Sequence, residues 1–191
     1  MKRCEWCLST ELYTKYHDEE WGVPVYDDQK HFEFLVLESA QAGLSWITIL
    51  NKRENYRKAY DNFDPKKVAR YTDAKKAKLL ADSGIVRNRL KIEASISNAQ
   101  HFLELQKEFG SFSNYIWGFT KNKPVVGKWK TLSEIPPKTE LSDKVSLDLK
   151  KRGFKFLGST IMYSHMQATG IINDHLTNCF RYKEIKEHES I

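Results

Sequence analysis

Cysteine is scarce in this sequence, with three among 191 residues. Three is an odd number and too few for the disulfide framework of a small secreted protein, which indicates a reducing compartment such as the cytoplasm. Long apolar runs are missing as well, since no segment approaches the roughly 20 apolar residues that cross a membrane. Residues 1–6 lack the apolar stretch of a secretory signal. We therefore expect a cytoplasmic globular protein that makes no contact with membranes.

Signals for β-strands are also nearly absent. The one candidate, residues 124–127, is short and lies within a segment rich in proline and lysine (121–138) that predicts a loop. Elsewhere apolar residues recur at helical spacing, as with Ile92, Ile96 and Ala99. The sequence predicts an all-α fold with helices at 30–41, 45–60, 74–81, 87–109, 142–152 and 159–169, and a short helix from Pro65.

The excess of positive charge is modest, because 31 lysines and arginines against 25 acidic residues leave a net charge of +6. By itself such an excess favours an ordinary solvated surface over nucleic-acid binding. It becomes informative only where the charge lies beside an element that could dock on a phosphate backbone.

Residues 150–160, which join two predicted helices, are such an element. Gly153 can end the first helix in a left-handed conformation, and Gly158 permits a close backbone approach. Ser159 or Thr160 can cap the second helix, whose N-terminus could bind a phosphate through its free N–H groups. The basic residues around this point are Lys150, Lys151, Arg152 and Lys155. The alternative is a basic turn with solvated lysines, and the pattern alone does not decide between them.

Histidine and cysteine collect near the two ends of the chain. His175 and Cys179 are four residues apart, so on a helix they would share a face and could touch one ion. Cys4, Cys7 and His17 lie near the N-terminus, which gives five donors for the four that a tetrahedral Zn²⁺ needs. As the N-terminal pair of metal ligands, the spacing slightly favours Cys4 and Cys7 over Cys4 and His17. The alternative is that these residues bind no metal, because three cysteines and six histidines produce such spacings by chance.

One acidic residue, Glu38, stands in an apolar part of the predicted helix 30–41. Burying a carboxylate costs free energy unless the group is paired or used. The aromatic residues nearby in sequence are Trp6, Tyr13, Tyr16, Trp21 and Trp46. An acid among aromatic faces can hold a flat cationic ring by stacking, cation–π attraction and hydrogen bonds to N–H groups. The pattern alone favours the alternative, in which Glu38 faces solvent and the aromatic residues form core.

Together these segments resemble the DNA-3-methyladenine glycosylase I family of helix–hairpin–helix base-excision enzymes. The resemblance covers nearly the whole chain, from Cys4 to about Tyr182. Its most specific stretches are Tyr-His-Asp-Glu-Glu-Trp-Gly-Val-Pro at 16–24, Leu-Glu-Ser-Ala-Gln-Ala-Gly-Leu-Ser-Trp-Ile-Thr-Ile-Leu at 37–50, the turn 150–158, and Asn-Asp-His at 173–175 followed by Cys179.

The resemblance implies a single glycosylase domain over residues 1–191. Within it, about 1–25 and 165–185 would form a zinc-binding subdomain, about 142–169 the helix–hairpin–helix element, and 184–191 a frayed tail. The family binds one structural Zn²⁺ with two residues near the N-terminus and two in the C-terminal helix. The matching positions are Cys4, His17, His175 and Cys179. This reverses the slight preference for Cys7, which could still compete as a ligand or simply pack.

The family removes 3-methyladenine from DNA, and the resemblance implies that Glu38 is the catalytic residue and hydrogen-bonds the flipped base. Tyr16 and Trp46 would stack on the base, while Trp6, Tyr13 and Trp21 would line the pocket. Methylation at N3 makes the adenine cationic and a good leaving group, so the enzyme needs no strong general acid. It must instead extract the base and stabilise a sugar that becomes oxocarbenium-like.

Two further sets of residues are expected to contact DNA. Leu44, in the turn between two predicted helices, would fill the gap that the flipped base leaves, with Gln41 and Gly43 beside it. An ordinary core leucine is the alternative. The hairpin residues expected at the phosphate backbone are Lys151, Lys155, Gly158, Ser159 and Thr160.

The expected activity is that of a monofunctional glycosylase. It would act as a monomer in the bacterial cytoplasm on double-stranded DNA that contains alkylated adenine, and release free 3-methyladenine. No lysine that could form a Schiff base stands in 159–164, and His165 is given no role. Two alternatives remain: a protein that binds damaged DNA without turnover, and a basic helical scaffold with no role on DNA.

Overall fold

The computed structural model describes residues 1–188, and most of them are helical. Short 3₁₀ turns cover Glu5–Cys7, Asp61–Phe63 and Leu132–Glu134. The α-helices are α1 (Glu11–Glu19), α2 (Asp28–Gln41), α3 (Trp46–Ala59), α4 (Pro65–Val68), α5 (Asp73–Ala81), α6 (Arg89–Phe109), α7 (Phe112–Gly118), α8 (Glu140–Lys151), α9 (Ser159–Ala168) and α10 (Phe180–His188).

Polar side chains begin several of these helices. The Asp27 carboxylate accepts the backbone N–H of Lys30 at 2.7 Å and so starts α2. Thr139 and Ser142 form a reciprocal capping box at the start of α8. The predicted long helices agree with the observed ones to within two residues at each end, whereas α1, α7 and α10 were not predicted. Each of these three is nine residues or fewer and carries no long apolar repeat.

The all-α prediction misses one pair of two-residue strands, of which the first lies in the segment expected to be a loop. Val125–Val126 (β1) lies parallel to Ile172–Asn173 (β2). Gly127 extends the contact by donating its N–H to the carbonyl of Asn173 at 2.9 Å. A Cβ on Gly127 would collide with the Asp174 carboxylate, so only glycine allows this approach. The pairing fixes the 121–138 segment against the residues that precede α10.

The C-terminal end differs from the expectation of a frayed tail. Residues 184–188 continue α10, and Ile185 is buried. Residues 189–191 lie outside the described part of the chain. Among residues 1–188 there is no helix whose length and apolar character would let it cross a membrane.

Helix α2 is the buried centre of the fold. The sequence predicts one apolar face that includes Phe32, Leu35 and Val36, but every residue from 31 to 40 is buried. The reason is that α3, α6, α7 and α9 all pack against α2, so that it has no free face. Glu38 is therefore carried out of water together with its apolar neighbours.

Candidate functional site

A pocket with about 140 Å³ of free volume opens beside the Glu38 carboxyl. That is about ten times the volume that one buried water needs, so a small ring compound fits. Its walls come from the N-terminal segment with α1, from the facing ends of α2 and α3, and from one face of α9. The lining residues are Trp6, Tyr13, Tyr16, Trp21, Glu38, Gln41, Trp46, Ser164, Gln167 and Ala168.

All six residues that the sequence analysis assigned to a ring-binding site line this pocket. Trp6 contacts Tyr13 and Trp21 edge-to-face, with ring centroids 4.9 and 5.1 Å apart. Tyr16 and Trp46 lie 5.7 Å apart across a tilted contact. These contacts hold the rings in fixed orientations. Within the described residues, the indole Nε1 of Trp46 is buried without a hydrogen-bond partner.

The Glu38 carboxyl is only 2% exposed, so the alternative in which it faces solvent is wrong. Its Oε2 lies 3.0 Å from Nδ1 of His165, whereas Oε1 makes no hydrogen bond to any residue that the structure describes. Burial raises the pKa of Glu38 well above its ordinary value, because the charged form loses its hydration. The site can therefore offer one anchored and one available carboxyl oxygen to the N–H groups of a ligand.

Four residues of α9 form or support this site without a role predicted from the sequence. Ser164, Gln167 and Ala168 line the pocket, and His165 is wholly buried behind Glu38. Gln167 is held in place by its Nε2, which donates to the Asp174 carboxylate at 2.8 Å. The spacing i, i+3, i+4 of the three lining residues could have shown that they share one face of a helix. The sequence places His165 where it could line the pocket, but it gives no sign that His165 contacts Glu38.

The turn between α2 and α3 stands at the rim of the pocket. Gly43 has φ +82°, a left-handed conformation that ends α2. Leu44 is 42% exposed, so it is not a core leucine, and Gln41 beside it lines the pocket. Lys91 of α6 holds the turn by donating from Nζ to the carbonyls of Ala40 and Ala42, at 2.9 and 2.6 Å.

The turn 152–158 between α8 and α9 presents most of its predicted residues to solvent. Lys151, Lys155, Gly158 and Thr160 are exposed. Gly153 has φ +94° and ends α8 as predicted. A residue that the sequence analysis missed, Asn98, anchors the turn through two hydrogen bonds to the backbone of Lys155, at 2.8 and 2.9 Å.

The predicted capping of α9 by Ser159 or Thr160 is wrong. Gly158 is the N-cap residue and no side chain caps the helix. The Ser159 hydroxyl instead forms a hydrogen bond with that of Ser142 at 2.9 Å. The first N–H groups of α9 therefore stay available to an anion. Arg152 is unavailable to such an anion, because its guanidinium is bound to the carboxylates of Glu108 and Asp148.

The four donors that the resemblance implied as metal ligands meet in one buried cluster. The ligand atoms of Cys4, His17, His175 and Cys179 all lie within 4.8 Å of one another. Cys179 Sγ is 3.5 Å from Nε2 of His17 and 3.6 Å from Nδ1 of His175, and Cys4 Sγ is 3.8 Å from that same Nδ1. A tetrahedral Zn²⁺ would separate such sulfur and nitrogen atoms by about 3.6 Å. The cluster therefore fits one metal ion.

Hydrogen bonds on the far side of each imidazole orient the cluster. The other nitrogen of His175 donates to the carbonyl of Trp21 at 2.9 Å, and that of His17 faces the Asp18 carboxylate at 2.8 Å. Such partners fix the tautomer that presents a nitrogen lone pair to a metal. Trp21 and Trp6 also pack against these imidazoles. The cluster and the pocket therefore share a wall.

The donors differ from the sequence-based expectations in their backbone setting and in the place of Cys7. His175 and Cys179 do not project from a helix, since they lie in the loop between β2 and α10. Cys7 lies outside the cluster, and its thiol donates to the carbonyl of Cys4 at 3.1 Å. The structure thus brings together Cys4 and His17 rather than Cys4 and Cys7.

Known proteins that resemble this chain in sequence or in structure are methyladenine glycosylases. The methyladenine glycosylase family model matches residues 6–182. The DNA-3-methyladenine glycosylase 1 of Escherichia coli (strain K12) is 50% identical over 182 residues, 95% of this chain and 97% of that protein. A crystal structure of 3-methyladenine DNA glycosylase I superposes with a TM-score of 0.91 at 48% identity, covering 94% of this chain and 98% of that one. The structural basis of 3-methyladenine recognition has been determined for the Staphylococcus aureus 3-methyladenine DNA glycosylase I, which matches at 38% identity and a TM-score of 0.90, over 94% and 96% of the two chains.

Proposed function

The chain belongs to the methyladenine glycosylase family, and from this premise we propose that it hydrolyses the N-glycosidic bond of 3-methyladenine in alkylated DNA and leaves an abasic site. The observation that carries the proposal is the buried Glu38 carboxyl in the wall of an aromatic pocket. The substrate is double-stranded DNA and the product is the free base. We also propose that the protein acts as a monomer in the cytoplasm.

The chemistry of the damaged base matches the aromatic rings and the carboxyl group of the pocket. Methylation at N3 gives the adenine a positive charge, which weakens the glycosidic bond and attracts the ring to aromatic faces. Tyr16 and Trp46 stack on the flipped base, and the Glu38 carboxyl accepts hydrogen bonds from its N–H groups. The same carboxyl offsets the positive charge that spreads over base and sugar as the bond breaks. Normal adenine is neutral and gains less from this pocket.

The turn 152–158 and α9 connect this pocket to the DNA backbone. The free N–H groups at the start of α9, with Lys151 and Lys155 beside them, bind a phosphate. Ser164 lies five residues into α9, about 7.5 Å along the axis, and lines the pocket. One rigid helix therefore sets the distance between a bound phosphate and the flipped base, which supports a helix–hairpin–helix element over about 142–169.

The four-donor cluster binds one structural Zn²⁺ in this proposal. Two thiolates and two imidazoles are the donors of closed structural zinc sites, which keep no position open for water or substrate. Cys4 and His17 come from residues 1–25, while His175 and Cys179 come from 165–185. The ion would join these two segments into one subdomain and brace Trp6 and Trp21 behind the pocket.

Incubation with methylated duplex DNA, followed by chromatography of the released bases, tests the proposed function. We expect 3-methyladenine as the released base. Release of no base, together with duplex binding that weakens as salt is raised, would instead indicate a protein that binds damaged DNA without turnover. Absence of salt-sensitive binding would indicate a scaffold with no role on DNA.

Replacement of Leu44 by alanine tests the proposed wedge. We expect about 10-fold slower base release from duplex DNA and little change from single-stranded DNA, because only the duplex leaves a gap that a side chain must fill. Single-turnover release from the two substrates is the measurement. Leu90→Ala, which truncates another exposed leucine, is the matched control. Equal slowing on both substrates would contradict the role of Leu44.

We expect no strand cleavage by this protein. A lyase needs an amine nucleophile that forms a Schiff base with the sugar, and of the described residues that line the pocket none is lysine. Incubation with alkylated duplex in the presence of borohydride should therefore trap no covalent protein–DNA adduct. A trapped adduct, detected by gel electrophoresis, would contradict the monofunctional assignment.

A further inference from the structure

A chain of three titratable side chains runs from the pocket into the core, and the chemistry described above uses only the first. Oε2 of Glu38 lies 3.0 Å from Nδ1 of His165. Nε2 of His165 lies 3.2 Å from Nδ1 of His31, and Nε2 of His31 lies 3.0 Å from the carbonyl oxygen of Val25. Both imidazoles are wholly buried.

The carbonyl at the inner end fixes where the hydrogens lie. A carbonyl oxygen only accepts, so Nε2 of His31 carries a hydrogen. A neutral His31 then accepts at Nδ1, which places a hydrogen on Nε2 of His165 and a lone pair on its Nδ1. Two acceptors do not share a 3.0 Å contact, so Glu38 and Nδ1 of His165 hold one proton between them.

In the empty pocket this proton belongs to the carboxyl. Burial raises the pKa of Glu38 and lowers the pKa of His165 and of His31 to about 3 each, because each charged form has lost its hydration. A carboxylic acid beside a neutral imidazole leaves no buried charge to compensate.

The surroundings of the chain supply little other charge. The charged or titratable groups around it are Tyr16, Asp27, Asp28, Lys30 and Arg53. Tyr16 faces Glu38 from α1, and the two aspartates face His31 from the start of α2. The two cations lie over the ring of Phe34 and are paired with Glu20 and Glu33. From α7, the ring of Phe112 packs against both imidazoles.

We propose that His165 is a positioning residue that takes the proton of Glu38 when a cationic base enters the pocket. The O–H bond at Oε2 breaks and an N–H bond forms at Nδ1, so the pair gains no net charge. The carboxylate then stands next to the base cation, with the imidazolium behind it. Its attraction to the adjacent base exceeds the repulsion between the two cations, which are farther apart. When the neutral purine has been released, the proton returns to Oε2.

With this arrangement, Glu38 is ionised only when a cationic damaged base occupies the pocket. A neutral adenine does not draw the proton inward, so it meets an uncharged carboxyl, whereas a base methylated at N3 creates its own counter-ion. The pocket therefore needs no permanent buried carboxylate, which would be expensive to maintain. The inference rests on the proposed function, because it requires that the occupant be cationic.

Calorimetric titration with small probes tests the proton transfer without DNA. The cationic probe is 3,9-dimethyladeninium, in which a methyl group stands for the sugar, and 9-methyladenine is the neutral probe. Titrations in buffers of different ionisation enthalpy count the protons released. We expect the wild type to bind the cation without releasing a proton and with an affinity that is independent of pH across the neutral range.

His165→Asn is the informative variant, because its amide can still hydrogen-bond the carboxyl but cannot take a proton. Cation binding should then expel about one proton to solvent, and the affinity should rise about 10-fold for each pH unit. At neutral pH the affinity for the cation should be at least about 10-fold weaker than that of the wild type, with binding of 9-methyladenine unchanged. His101→Asn is the control, because His101 also contacts a glutamate, Glu104, but lies outside the pocket.

Release of a proton by the wild type, or proton-neutral binding by His165→Asn, would overturn the proposal. If the His165→Asn variant does not fold, ¹⁵N NMR of the wild type tests the proposal by showing which ring nitrogens of His165 carry a hydrogen. We expect His165 to carry a hydrogen on Nε2 alone in the empty protein and on both nitrogens in the cation complex, and an unchanged ring would overturn the proposal. If the wild type binds the 3,9-dimethyladeninium probe without releasing a proton but releases no base from alkylated DNA, only the proposed function is contradicted. Base release from alkylated DNA, together with expulsion of a proton when the wild type binds the 3,9-dimethyladeninium probe, would contradict only this inference.

Discussion

Replacement of Glu38 by glutamine is expected to slow the release of 3-methyladenine from duplex DNA by about 100- to 1,000-fold. An amide has the shape of the carboxyl but cannot become an anion beside the cationic base, so it loses the electrostatic part of the stabilisation. That loss corresponds to about 3–4 kcal/mol in the activation free energy. Single-turnover release of bases from alkylated duplex, measured by chromatography, gives the rate directly.

The same substitution should leave the fold and duplex binding intact. The amide N–H can donate to Nδ1 of His165, which replaces the hydrogen bond at Oε2. We therefore expect the affinity for undamaged duplex, measured by fluorescence anisotropy, to stay within about 2-fold. Glu54→Gln, which alters an exposed glutamate paired with Arg57, should change neither property. A Glu38→Gln protein that releases base at the wild-type rate would remove the central support for the proposed function.

Replacement of Cys179 by serine is expected to abolish binding of the proposed metal ion and to lower the free energy of unfolding by at least about 4 kcal/mol. Cys179 Sγ contacts both imidazoles of the cluster, so its loss leaves three donors and a buried gap. In a chain of this size such a loss lowers Tm by about 10 °C. Metal content per chain and thermal unfolding are the measurements. Base release should fall as well, because Trp6 and Trp21 pack on the cluster and line the pocket.

Cys7→Ser provides a control of the same chemical change close to the cluster. Its hydroxyl can donate to the carbonyl of Cys4 as the thiol does, and Cys7 does not belong to the cluster. We expect full metal content and nearly unchanged stability. Loss of metal in Cys7→Ser, or its retention in Cys179→Ser, would show that the ligand set is wrong.

Much of the local structure follows from the sequence by short-range physics. Apolar spacing placed the long helices, and Gly153 marked the end of α8 because left-handed backbone favours glycine. The short helices α1, α7 and α10 escaped prediction, since packing rather than an apolar repeat sustains them. The β1–β2 pairing was not predictable from the sequence for a related reason. Two residues per strand give no pattern, and the partners are more than 40 residues apart in sequence.

The sequence by itself determined the chemical inventory of this protein: one acid among aromatic residues, soft metal donors at both ends, and a basic turn that leads into a helix. Only the tertiary structure decided how that inventory is used. Four helices enclose α2 and so bury Glu38, the chain ends converge so that four donors meet in one cluster, and α9 brings His165 behind the carboxyl. Each outcome depends on contacts between residues distant in sequence, and the desolvation and proton sharing that follow are properties of those contacts.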